Sequence, residues 1–189
     1  MQHEEFPSET PGPADAGRRA LMQGGLVVAG GFIVGCSAAA ESLAPPAHNP
    51  TTEYAFTIFA TIEGVLAVGD TATGQIRAIP ITGGEVKGEG IGGRVIPGGA
   101  DWQRTRSDGV TEIEATYALE LSDKTLVKVI NRGIIVPPET GTTAYFRTAI
   151  EFAAPNGKWQ WLNEAIFLCT AGLMQDRPGT VQVDVFKLV

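Results

Sequence analysis

From Glu53 to the C-terminus, apolar residues recur at every second position in short runs that glycine or proline cuts off. Side chains alternate between faces with period two only in a strand, so this pattern excludes a helical fold before any other feature is considered. The cleanest stretch is 110–121. There Ile113, Ala115, Tyr117, Leu119 and Leu121 share one face, and Glu112, Glu114, Thr116 and Glu120 share the other. Further strand-like runs are expected at 53–62, 65–68, 75–81, 84–88, 92–96, 125–131, 134–136, 144–153, 159–170 and 180–189. Asn156-Gly157 reads as a hairpin turn because both residues tolerate positive φ. The one helical candidate is a turn or two around 162–167. Many sequential antiparallel strands must sandwich or close to remove their edges. Several of these strands are apolar on both faces, which favours an all-β closed antiparallel barrel of roughly eight to ten strands around a ligand-sized interior.

The first 52 residues do not share this pattern. Residues 1–36 have the parts of an export signal. A polar start leads to Arg18-Arg19, an uncharged apolar run follows over 20–40, and Ile33-Val34-Gly35-Cys36 resembles a lipobox. The arginine pair is twin-arginine-like, although Gly17 precedes it and no lysine follows. Three outcomes compete: lipidation at Cys36, ordinary cleavage near Ala38-Ala39-Ala40, and a retained membrane helix that the many glycines disfavour. Residues 37–52 read as a tether and 53–189 as the barrel domain. The expected location is the periplasm or a membrane-anchored lipoprotein of a bacterial envelope, with membrane contact only through the leader.

Inventory narrows the chemistry. The net charge is −7 with no Lys/Arg cluster, which argues against nucleic acid as a partner. The two histidines, His3 and His48, precede the domain, so a histidine triad or histidine-ligated metal inside it is excluded. No metal site and no cofactor is expected. The string Gly88-Glu89-Gly90-Ile91-Gly92-Gly93 spells a dinucleotide fingerprint, but strand-like residues follow it where a helix is required. Cys169 lies in an apolar run and reads as an inert core thiol.

The segment 92–102 ends a strand on Pro97, turns through Gly98-Gly99 and presents Asp101 beside Trp102. A carboxylate next to an indole in a dry cavity has its pKa raised toward the range useful for proton transfer, whereas an adjacent Arg147 would pull it the other way, and the sequence leaves the net direction open. Asp101 is therefore the candidate general acid/base, with Glu114 as a second carboxylate. Arg147 alternates with Tyr145 opposite Phe146 and Thr148; if the Phe146 face packs outward, Arg147 points in and needs an anion. Trp102, Tyr145 and Trp161 offer flat surface for a sugar or aromatic ring, or serve as plain core, and Asn163 and Asn131 are candidates to orient a ligand.

These residues also carry a resemblance. Ile81-Thr82-Gly83-Gly84, Gly98-Gly99-Ala100-Asp101-Trp102, Tyr145-Phe146-Arg147-Thr148 and Trp161-Leu162-Asn163 stand in the order seen in the "domain of unknown function 3237" family of uncharacterised lipocalin-like barrels. The resemblance covers 53–189 and implies an antiparallel barrel enclosing a pocket. Two functions are then open: a cofactor-free isomerase, lyase or cyclase acting on a small cyclic, aromatic or sugar-like molecule, and a non-catalytic binder of small ligands. The leader generates its own test. Intact mass should show an acylated N-terminus at Cys36 that Cys36→Ala removes; two identical soluble products would rule lipidation out.

Overall fold

A computed structural model describes residues 49–140 and 143–189. Nine strands follow one another: β1 (Thr52–Ile62), β2 (Leu66–Thr71), β3 (Gly74–Gly88), β4 (Ile91–Thr105), β5 (Thr111–Leu121), β6 (Leu126–Val136), β7 (Tyr145–Ala153), β8 (Phe167–Leu173) and β9 (Thr180–Leu188). All pairings are antiparallel, and the sheet runs β1-β9-β8-β7-β6-β5-β4-β3-β2. A second pairing of β1, with the C-terminal half of β3 from Thr57↔Lys87 to Ile62↔Ile81, closes the sheet on itself. The result is the expected barrel, with eight strands in the wall and β2 hung on the other half of β3.

The long strands are where the chain departs from expectation. Gly84 and Gly98-Gly99 do not end strands; they are bulges in continuous β3 and β4, at Ile81/Glu85 and Ile96/Ala100. Extra residues at these points bend the strands, which a small barrel needs in order to close. Gly84 is required there for two reasons: its φ is +133°, and a Cβ would overlap the Phe59 carbonyl of β1 at the closing seam. Gly133 likewise interrupts nothing, since β6 runs through it, and a Cβ there would overlap the Arg147 carbonyl on β7. Asn156-Gly157 is not a tight hairpin. The β7–β8 connection runs from 154 to 166 and holds a short 3-10 turn, Gln160–Asn163.

That connection closes one end of the barrel. Trp159 and Leu162 are buried with Phe56, Leu119, Val127 and Phe167, and the Trp159 indole N–H donates to Asp123 in the β5–β6 turn at 2.7 Å. Inward side chains of this half form the buried core cluster. The other half, toward Thr143, Ala144 and the start of the β8–β9 connection, is hollow.

Candidate functional site

Cross-strand register determines what the hollow half presents. Gln103 of β4 stands opposite Arg77 of β3 and Ile113 of β5. The next inward row runs Ile79–Asp101–Ala115–Asn131–Ile150. All of these side chains but Ile150, which belongs to the packed core, line a cavity of about 950 Å³ that opens at the unplugged end, with Tyr117 toward the packed half and Phe146 toward the mouth. An eight-stranded barrel has room for one small ligand at most.

Its polar centre is a relay. Arg77 Nε donates to Gln103 Oε1 at 2.9 Å, and Gln103 Nε2 donates to Asp101 Oδ2 at 2.6 Å. Only one orientation of the Gln103 amide serves both partners, because a guanidinium can only donate and a carboxylate can only accept. Burial pushes the Asp101 carboxyl above its ordinary value; the Gln103 bond and the Arg77 charge pull against it without prevailing. Asp101 Oδ1 and Asn131 Oδ1 are both buried and neither meets a donor among the described residues. They stand on β4 and β6 with only Ala115 of β5 between them, and both residues line the same cavity. Burial also raises the Tyr117 phenol, helped by Cys169 and Asp101, and pushes the Cys169 thiol up to about 12, which keeps that sulfur unreactive at neutral pH.

The expected site is brought together only in part. Asp101 and Asn131 are inside. Glu114 is not: on β5 it faces solvent and pairs with Arg132 at 2.7 Å. Arg147 is corrected as well. The apolar Phe146 face of β7 packs inward because no second layer of the described residues covers the barrel outside, so the guanidinium sits over the Tyr145 ring at 5.2 Å and donates to the Phe146 carbonyl. It reaches the cavity only at the rim, where the β7–β8 ladder ends at Arg147↔Thr170. Asp101 and Arg147 thus lie on opposite faces of the wall and are not a pair.

The aromatic candidates fare likewise. Trp102 and Tyr145 lie on the outer face, each 52% exposed. Trp161 is packed edge-on against Phe56 and Phe167 in the plugged end. Asn163 clasps the backbone of Ala154 there through two hydrogen bonds. Neither approaches the cavity. Arg77, Gln103 and Tyr117 were missed as site residues. Parity alone could have found them, since Gln103 shares the Asp101 face and Arg77 alternates with Ile79 and Ile81.

A raised carboxyl has a measurable consequence. The folded state holds the Asp101 proton more tightly than the unfolded chain, so stability falls as pH rises through the folded pKa and is unaffected below the ordinary value of 3.8. Asp101→Asn keeps the Gln103 bond and carries no charge. Its Tm should exceed that of wild type at pH 7, and the gap should vanish below pH 3.8. A variant less stable at pH 7 would show that burial does not dominate.

Comparison with known proteins follows the same outline. Residues 50–188 match the family described as "Protein of unknown function (DUF3237)". A UPF0311 protein of Rhodopseudomonas palustris is 41% identical over 150 residues, 73% of this chain and 96% of its own. The crystal structure of a conserved protein of unknown function from the same species superposes with TM-score 0.69 at 38% identity, covering 75% of this chain and 99% of that one. A β-barrel-like protein from Acinetobacter baumannii gives 0.68 at 26% identity, over 78% and 99% of the two chains. Over the whole barrel, then, in sequence and in strand order, this chain belongs to the DUF3237 family.

Proposed function

We propose that the barrel binds one small molecule in its hollow half, and that Asp101 acts there as the general base of a cofactor-free proton transfer. The reaction classes that fit are isomerisation, elimination and cyclisation. The observation that carries this reading is the carboxylate itself. Asp101 stands in a largely apolar cavity with one oxygen held by Gln103, the other buried without a donor, and its pKa raised by burial. A desolvated carboxylate is a stronger base than one in water, and a fixed one needs no reorganisation to act. Asn131 would accept from the same ligand donor, and Tyr117 would close the floor of the site. The barrel is compatible with catalysis, since an enzyme from Penicillium herquei shares the fold at TM-score 0.62 and 20% identity.

A non-catalytic binding barrel is the second reading. It is favoured by the position of Arg147 on the outer face and by Gln103 standing between Asp101 and Arg77, so that among the described residues no cation contacts the carboxylate directly. Export through the leader, with Cys36 as the lipid site, remains part of the proposal; residues 1–48 lie outside the described residues.

A base-sensitive probe separates the two readings. In 5-nitrobenzisoxazole, removal of the ring C–H proton by a carboxylate breaks the N–O bond and releases a coloured cyanophenolate. The protein should accelerate this elimination, with a rate that rises with pH through the raised Asp101 pKa. Asp101→Asn should fall to the uncatalysed rate, and Glu114→Gln on the outer wall should leave it unchanged. A rate indifferent to Asp101 would leave the binding barrel as the surviving reading.

A further inference from the structure

The described residues contain seven arginines, and they divide into two groups. Arg94, Arg104, Arg106, Arg132 and Arg177 each pair with a carboxylate: Glu120, Glu112, Asp108 with Glu112, Glu114 with Glu151, and Glu85. Arg77 and Arg147 pair with none, and these are the two that line the cavity. A shortage of acids does not explain this, since the chain has 21 Asp and Glu against 14 Lys and Arg.

Three acids line the cavity with them, and among the described residues none forms an ion pair with either arginine. Asp176 stands on the β8–β9 connection at the mouth, and Asp184 accepts from Thr57 and Gln182. Asp101 is kept from Arg77 by Gln103, whose amide occupies the direct path between the two charges. Only Nε of Arg77 is spent; its two terminal nitrogens make no hydrogen bond to any described residue. A half-buried guanidinium with its outer edge unused is costly to maintain unless something satisfies it.

We infer that the cavity takes a monoanionic carboxylate on an apolar body, held by the terminal nitrogens of Arg77 and drawn in past Arg147 at the rim. This deepens the reading above and rests on its placing of the ligand in the barrel. The paired terminal N–H groups match the two oxygens of a carboxylate. One inner cation beside Asp101 neutralises a single negative charge and would leave a phosphate dianion under-compensated. Arg77 and Arg147 stand on strands on opposite sides of the barrel, β3 and β7, so they divide the labour: one binds, the other steers.

The test displaces a neutral fluorescent probe, N-phenyl-1-naphthylamine, with matched acids and amides: 2-naphthoate against 2-naphthamide, and octanoate against octanamide. Each acid should compete about ten-fold better than its amide, the usual gain from a charge-assisted hydrogen bond. Arg77→Met should abolish that preference and leave amide affinity unchanged. Arg147→Met should slow association of the acid and flatten its salt dependence, whereas Arg94→Met on the outer wall should do neither. Amides matching acids in wild type would overturn the inference while the cavity reading stands, and that comparison needs no variant to fold. A preference that survives Arg77→Met would overturn the assignment to Arg77. Failure of the neutral probe to bind at all would overturn the cavity reading, and this inference with it.

Discussion

The whole molecule depends on β3 having one edge that serves two strands. Its N-terminal half pairs with β2 and its C-terminal half with β1, and the second pairing converts an open sheet into a barrel. The exchange takes place at the Ile81/Glu85 bulge, where Gly84 lets the backbones of β3 and β1 approach. Closure pairs the edges of the eight wall strands, which would otherwise invite aggregation. It also creates an inside, and with it a rule that every inward residue must be packed, paired or available to a ligand. At the plugged end the residues pack, with Leu119, Val127, Phe56 and Phe167 fully buried. At the other end they do not, and the relay of Arg77, Gln103 and Asp101 stands in their place.

Gln103 is the residue that gives this relay its character. A direct Arg77–Asp101 ion pair would cancel both charges, hold the carboxyl well below its ordinary range and leave nothing for a ligand. Inserting a neutral amide keeps each charge in place by one hydrogen bond and leaves each with unused capacity. Among the described residues the carboxylate keeps an oxygen without a donor, and the guanidinium keeps two nitrogens without acceptors. Both charges are thus positioned by the fold and reserved from each other.

The strands and the barrel were legible because period two is a property of the backbone that survives almost any tertiary context. On β5 the alternation placed Ile113 through Leu121 inward and the glutamates outward, which by itself puts Glu114 outside. On β7 the alternation was equally plain, but its sense was not. An apolar face can meet a core or an outer layer, and what decides that Phe146 points in and Arg147 out is the lining of the closed barrel, which the sequence of β7 alone does not show. On β4 the ordinary expectation failed outright. The indole of Trp102 is outside and Asp101 with Gln103 is inside, the reverse of what burial preferences favour. Local rules break where a site has been built at the expense of packing. Gly98-Gly99 hid the matter further, since a bulge and a turn have the same composition, and only the ladder on either side tells them apart.

The account stands on the ligand being inside the barrel, and the outer wall offers a rival. Leu66, Val68, Pro97 and Trp102 line an apolar groove of about 530 Å³ beside β2. Amide NMR of the labelled barrel titrated with N-phenyl-1-naphthylamine distinguishes the two most directly. The account predicts shifts concentrated on Arg77, Asp101, Gln103, Ala115 and Asn131, with Leu66 and Val68 unmoved. Shifts concentrated on Leu66 to Val68 and Gly98 to Ala100, with the interior row unmoved, would contradict it.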